Sequence, residues 1–124
     1  MPAPRRAAVP PDLLDDAARR ANRYLAGLPE RRVSPSPEAV ARLSELDKLP
    51  EAPTDPREVL ARLDEIASAA TVGSAGGRFH GFVIGGSLPA PLAAHWLATA
   101  WDQNAHSWTT SPAAAAIELS LIHI

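Results

Sequence analysis

The stretch GGRFHGFVIGGSLPAPLAAHWLATAWDQNAHSWTTSP, residues 76–112, decides the fold expected of this chain. It contains all three Trp, both Phe and three of the four His. Each of its two Gly-Gly pairs predicts a turn, because glycine adopts positive φ at no steric cost. Ser87-Leu88-Pro89 predicts a helix start with Ser87 as the N-cap. Apolar residues then recur at helical spacing from Leu92 to Trp101, and a Trp-bearing stripe of this kind is typical of core or interface packing. A polar turn over 104–110 then leads to Ser111-Pro112.

Composition narrows the classes of protein to consider. The chain has 124 residues, enough for one small domain, and much of its 46% hydrophobic content is Ala, with only 5% aromatic residues. Thirteen Pro predict short helices with stiff connections. A net charge of −2 argues against nucleic-acid binding. Without Cys, a signal peptide or a membrane span, we expect a cytoplasmic protein with no disulfide, no membrane partner and no nucleic-acid partner.

Upstream of residue 76, the pattern predicts three amphipathic helices. They open at Pro10-Pro11-Asp12, at Ser36-Pro37-Glu38 and at Asp55-Pro56-Arg57-Glu58. Ser36 and Asp55 are predicted N-caps, and Glu58 is expected to complete a capping box. The acids and arginines of the first helix lie four residues apart, which favours pairing on a solvated face over a phosphate site. Helices with one apolar face need something else to pack against, such as another domain or a second copy of the chain.

The residues themselves predict no catalytic or metal site. His80, His95 and His106 are fifteen and eleven residues apart, which matches no compact metal-ligand motif. Ser87, His95 and Asp102 supply the residue types of a hydrolase triad, but the chain has no G-x-S-x-G elbow. We therefore predict no catalytic residue and no metal ligand in this chain.

A resemblance to a known family suggests a function that the residues alone do not. Four segments carry it: Arg78–Phe82, Gly85–Pro89, Trp96–Asn104 and Ser111–Glu118. Together they resemble the N-terminal part of the group II pyridoxal-phosphate-dependent amino-acid decarboxylases, the family of aromatic-amino-acid and glutamate decarboxylases. With the upstream helices, the resemblance covers nearly all of residues 11–118. It is specific as a pattern over forty residues and weak at any single position.

The resemblance implies an organisation and a chemistry. It implies a mostly α chain: a helical N-terminal arm (10–75) and the start of the large domain (76–118) of a fold-type-I enzyme, α/β when complete. It also implies a homodimer that removes the carboxylate of an amino acid, with pyridoxal 5'-phosphate as the electron sink. The cofactor lysine and the cofactor-binding residues of this family lie downstream, so Lys48 is a predicted surface residue. We expect the chain to be inactive alone.

The resemblance also implies four substrate-binding residues. Phe82 and Ile84 would line the pocket from one subunit, and Asn104 and His106 would reach it from the other. His106 could hold a substrate carboxylate or polar side chain as a hydrogen-bond donor. Family members that act on aromatic substrates carry a Tyr-Phe-Pro-Thr-like string where this chain has Gly81-Phe82-Val83-Ile84, so the resemblance gives no particular substrate.

Two expectations concern the two ends of the chain, and one alternative concerns the function of the whole chain. Residues 1–9 are expected to be disordered, and residues 119–124, LSLIHI, resemble a translated sequencing adapter, which would make this chain a fragment of a longer protein. A native helix end is the other interpretation, because Ile117, Leu121 and Ile124 have helical spacing. The alternative function is a free-standing helical interaction module whose binding face includes Trp96 and Trp101.

Overall fold

A computed structural model describes residues 8–123, and all of the regular structure in that range is helical. Five α-helices follow one another: α1 Pro11–Gly27, α2 Pro37–Ala41, α3 Pro56–Ala67, α4 Pro89–Trp101 and α5 Pro112–Ile122. Short 3-10 helices, Arg42–Leu46 and Ser68–Ala70, extend α2 and α3. The prediction of a mostly α chain is confirmed for these residues.

Proline sets the start of every α-helix described here. Each of the five has a Pro in its first turn. Pro is favoured there because its fixed φ suits a helix and the amide hydrogen it lacks would have no partner inside the helix. The numerous prolines thus punctuate the chain as the sequence predicts.

The helix caps confirm some predictions and correct two. Ser36 accepts a hydrogen bond from the Ala39 amide (3.2 Å), and Asp55 accepts one from the Arg57 amide (2.8 Å). The predicted capping box is wrong, since Glu58 makes no bond back to Asp55 among the described residues. Ser87 does not cap α4 either, because Pro89 is the first helical residue and the cap position therefore falls on Leu88.

The chain divides into two compact units, one reaching to Gly86 and one starting at Ser87. We call them the N-terminal unit and the C-terminal unit. The predicted division near residue 75 concerns a complete enzyme and stays a prediction. Most of the segment predicted to be disordered, residues 1–7 of 1–9, lies outside the described residues. Ile124, at the other end, lies outside them too. Leu119–Ile122 continue α5, and whether they are native stays open.

In the N-terminal unit, α1 packs against α3, and polar contacts form much of the connection. Arg20 and Arg23 of α1 both reach the carboxylate of Asp64 on α3, at 3.0 and 2.7 Å. Ile66 is the one buried apolar side chain of the described residues, with 3% of its surface exposed. This unit therefore combines a very small apolar core with a larger network of ion pairs.

The C-terminal unit consists of α4, α5 and the connection between them. Both helices are apolar around most of their circumference, and their large side chains are exposed. Ser111, just before α5, is in contrast fully buried, and its side chain caps the helix by accepting a hydrogen bond from the Ala114 amide (3.4 Å). None of the helices found over residues 8–123 combines the length and the apolarity needed to cross a lipid bilayer.

Candidate functional site

Phe82 and Ile84 lie on a tight turn with an unusual backbone. The Ile84 amide donates to the Gly81 carbonyl (3.3 Å), and the two residues between them, Phe82 and Val83, have φ of 56° and 57°. This is the left-handed region, which L-residues avoid and a β-branched residue such as Val avoids most. Of the two predicted Gly-Gly turns, Gly77 lies in a turn, whereas Gly85 and Gly86 do not, and no described glycine has positive φ. Closure of the turn imposes the conformation on Phe82 and Val83 instead.

The same turn directs apolar side chains outward. Phe82 is 88% exposed and Val83 is fully exposed, while Ile84 is about half exposed. A strained backbone that also presents an aromatic ring to water has two unfavourable features at one place. Strain of this kind is found at ligand-contacting sites more often than elsewhere, so the observation raises the interest of the turn without naming a ligand.

Asn104 and His106 lie in the connection between α4 and α5, which begins at a left-handed residue. Asp102 ends α4 with φ 49° and ψ 46°, a conformation that Asp tolerates better than most residues. Thr110 then organises the turn: its hydroxyl lies 3.0 Å from the Asn104 carbonyl and 3.4 Å from His106 Nδ1. The structure therefore brings Asn104 and His106 into one hydrogen-bonded loop, with both side chains exposed.

The four predicted site residues are thus divided between the two units. Phe82 and Ile84 belong to the N-terminal unit, and Asn104 and His106 to the C-terminal unit. Their predicted meeting across a subunit boundary stays a prediction. Sequence reasoning missed Thr110, although a Ser or Thr three residues after another Ser in a polar turn is a recognised source of local side-chain hydrogen bonds.

The C-terminal unit contains an apolar groove that the sequence reasoning also missed. It has a volume of about 360 Å³ and lies between α4 and α5, which pack only loosely. Trp101, Ile117 and Leu121 line it together with several alanines, and Glu118 and Gln103 supply polar groups. Two consecutive helices that are apolar around most of their circumference were the available signal, because such helices are normally buried.

A polar cleft of about 300 Å³ in the N-terminal unit is lined by Arg20, Arg23, Arg31, Asp64 and Glu65. Asp64 pairs with Arg20 and Arg23 inside the cleft, and Glu65 pairs with Arg42 outside it. Ser68 Oγ donates to Asp64 (2.8 Å), and this bond, together with those from Arg20 and Arg23, lowers the pKa of the Asp64 carboxyl below its usual 3.8, against the effect of partial burial. An anionic ligand would have to displace Asp64 from its arginines, so we interpret the cleft as a structural network.

Arg31 and Asp16 extend this network at its two ends. The Arg31 guanidinium donates to the carbonyls of Ser68 (2.6 Å) and Thr71 (2.9 Å), which satisfies acceptors at the end of the 3-10 helix after α3. It also stacks over the Tyr24 ring at 5.0 Å. On α1, the hydrogen bond from Arg20 lowers the pKa of Asp16. The predicted pairing of acids and arginines on this helix is confirmed.

Over residues 8–123 no group of three or more His, Cys, Asp or Glu side chains is placed to hold a metal ion. Lys48, the only lysine of the chain, is exposed and follows a short 3-10 helix. It lines neither the groove nor the cleft described above. A lysine activated for aldimine formation is typically desolvated in an apolar pocket, whereas Lys48 is exposed.

Comparison with protein-family models, with curated proteins and with solved structures found no match to this chain.

Proposed function

We propose that this chain is the N-terminal part of a cytoplasmic pyridoxal-phosphate-dependent amino-acid decarboxylase. In this proposal the chain contributes dimer interface and one part of the substrate pocket, and the complete enzyme has an α/β fold. The sequence resemblance over residues 78–118 is the source of the proposal. The structural observation that carries it is the C-terminal unit, whose helices have the composition of buried helices and an exposed surface.

The exposed surface of the C-terminal unit supports a protein partner. Trp96 and Trp101 are each about half exposed, and Ile117 and Leu121 are more so. Trp is among the residue types that contribute most of the binding energy at interfaces between proteins. An apolar surface that stays in water is unfavourable, so another polypeptide surface is expected to cover it.

The charge distribution favours a second copy of the chain as that partner. Of the 26 charged side chains, only Asp102 and Glu118 lie in residues 87–124. Two copies of such a surface meet with little like-charge repulsion, and depletion of charge is typical of the core of homodimer interfaces. The homodimer implied by the resemblance is therefore compatible with the composition of this unit.

The cofactor's own site lies outside the residues described here. Lys48 does not fit the role, and no other residue of the chain can form the aldimine. What the chain would supply is a wall of the substrate pocket: Phe82 and Ile84 as apolar contacts, and Asn104 and His106 as polar ones. The strained and exposed turn over Phe82 and Val83 supports a ligand-contacting role for that segment.

The first experiment is to extend the open reading frame at its genomic locus. The proposal predicts a continuous frame with a downstream Ser-x-x-x-Asp-x-His-Lys-like segment, which would carry the cofactor lysine. A genuine stop codon after Ile124, flanked by genomic sequence, would contradict it.

The second experiment assays the enzyme encoded by that frame against a panel of amino acids. His106→Ala and Phe82→Ala are expected to lower kcat/KM at least about fivefold on the preferred substrate, since a lost contact costs roughly 1 kcal/mol or more. Leu49→Ala is the matched control for Phe82, because Leu49 is an equally exposed apolar residue in a different loop. Parental kcat/KM on every substrate for both site variants would exclude the pocket assignment.

A free-standing interaction module is the second candidate, favoured by the half-exposed Trp96 and Trp101 on α4. Both candidates predict an inactive isolated chain, so activity of this chain does not separate them. Borohydride reduction in the presence of pyridoxal phosphate is expected to give no stoichiometric adduct on Lys48. A single stoichiometric adduct there, with amino-acid turnover, would contradict both.

A further inference from the structure

The Thr110 hydroxyl is surrounded by four polar atoms of its own loop. Its Oγ1 lies 3.0 Å from the carbonyl oxygen of Asn104 and 3.1 Å from that of Ser107. It also lies 3.1 Å from Ser107 Oγ and 3.4 Å from His106 Nδ1. No other hydroxyl of the described residues has so many polar neighbours, and the number of donors and acceptors among these atoms limits how the loop's protons can be arranged.

The proton assignment starts from the carbonyls. A carbonyl oxygen only accepts, and a hydroxyl has one hydrogen and two lone pairs. The single Thr110 hydrogen therefore points to the carbonyls of Asn104 and Ser107, which it shares. The two lone pairs are left for Ser107 Oγ and His106 Nδ1, so both of these atoms must donate. Ser107 can do so, because its own lone pair accepts the Thr110 amide (3.4 Å).

We infer that Thr110 holds neutral His106 in the tautomer with the proton on Nδ1. Nε2 is then unprotonated, and because the ring is exposed it presents a hydrogen-bond acceptor to whatever approaches. This differs from the donor role expected from the sequence alone. In the neutral state His106 cannot donate from Nε2 to a substrate carboxylate.

The tautomer specifies a class of ligand, and this second step rests on the proposed function. If His106 borders the substrate pocket, the group facing it is a donor such as a hydroxyl or an ammonium. Substrates whose side chains carry a donor are then preferred over isosteres without one. Thr110 is a positioning residue in this account, since it acts on the ligand only through the imidazole.

Long-range proton–nitrogen NMR on the histidine-labelled 124-residue chain tests the inference directly. At about pH 8.5, roughly two units above the ordinary pKa of imidazole, neutral tautomers are read from the two ring nitrogens. His106→Gln assigns the His106 signals, and His80 and His95 serve as internal references. The expected result is a majority of the Nδ1-protonated form at His106.

Two variants make the test specific. Thr110→Val keeps the shape and removes the acceptor, so the tautomer ratio should move toward Nε2–H by about two- to fivefold, the change that one exposed hydrogen bond supports. Thr110→Ser keeps the hydroxyl and should retain the parental ratio. Nε2–H as the main form in the parent, or an equal ratio in the parent and in Thr110→Val, would overturn the inference.

The outcome is separable from that of the proposed function. The tautomer ratio could shift as expected while the Thr110→Val enzyme keeps the parental KM for donor-bearing substrates. That result would support Thr110 as a positioning residue and would reject His106 as a substrate contact. The absence of a tautomer shift would reject the positioning role whatever the enzyme does.

Discussion

The two units of this chain solve the problem of stability in different ways. The N-terminal unit holds nearly all of the charge, and its helices are joined by arginine–carboxylate contacts around a single buried Ile66. The C-terminal unit has almost no charge, and its apolar helices leave Trp96 and Trp101 half exposed. The polar groups of the first unit pair with one another. The second unit has the composition of a buried segment, but its large apolar side chains are exposed. This contrast is the reason for our proposal that a second copy of the chain covers the C-terminal unit.

The largest effect is expected in the N-terminal unit, at its small core. Ile66→Ala should lower the free energy of unfolding by about 2–4 kcal/mol, because the cavity has no other buried side chain to fill it. Leu63→Ala on the same helix is the control, and it should cost clearly less because Leu63 is about half exposed. Urea unfolding followed by far-UV circular dichroism gives both values. Equal losses would show that the unit is not organised around Ile66.

The ion-pair network should make the N-terminal unit sensitive to acid. The folded pKa of Asp64 is lowered, so its stabilisation is complete above the unfolded pKa of about 3.9 and is lost as pH falls through the folded value. Asp64→Asn should lower Tm by roughly 3–6 °C at pH 7. The difference from the parent should shrink as pH falls below 4.

The control for this titration is Asp15→Asn, an exposed carboxylate of α1 that is not in the ion pairs of Arg20 and Arg23. It should leave the acid profile of Tm close to that of the parent. A difference between Asp64→Asn and the parent that is the same at pH 3 and pH 7 would exclude the carboxylate as the titrating group.

A smaller effect is expected at the caps of the C-terminal unit. Ser111→Ala should destabilise α5 by about 1 kcal/mol, because Ser111 is buried and caps the helix. Ser87→Ala is a matched control, since Ser87 also lies just before a Pro-initiated helix but makes no cap. Helicity measured by circular dichroism should fall only in the first variant. Equal losses of helicity in the two variants would indicate that Ser87 caps α4 after all.

The smallest effect has the opposite sign and concerns the strained turn. Val83→Gly relieves about 1–2 kcal/mol of left-handed strain and loses about 0.5–1 kcal/mol to the greater freedom of glycine when unfolded. The net expectation is a gain of about 0–1.5 kcal/mol in the free energy of unfolding. Ile84→Gly, at a residue without positive φ, should give no gain. Destabilisation by Val83→Gly would mean that the turn is not strained.

The sequence predicts the helices better than it predicts the site. Pro-initiated starts and the caps at Ser36 and Asp55 are local signals, so they could be found without a structure. The strained turn at Phe82 and Val83 could not, because nothing in those two side chains favours positive φ. The role of Thr110 depends on four distances within one loop. These distances cannot be derived from the spacing of residues along the chain.

Sedimentation velocity of the purified chain tests the central claim most directly, namely that the C-terminal unit is a surface for a second copy. The account predicts concentration-dependent association that is abolished by Trp96→Glu with Trp101→Glu and retained by Leu49→Glu, a charge placed on an exposed apolar residue of the N-terminal unit. A strictly monomeric parent with a sharp two-state thermal transition would contradict it, as would association that survives both Trp substitutions.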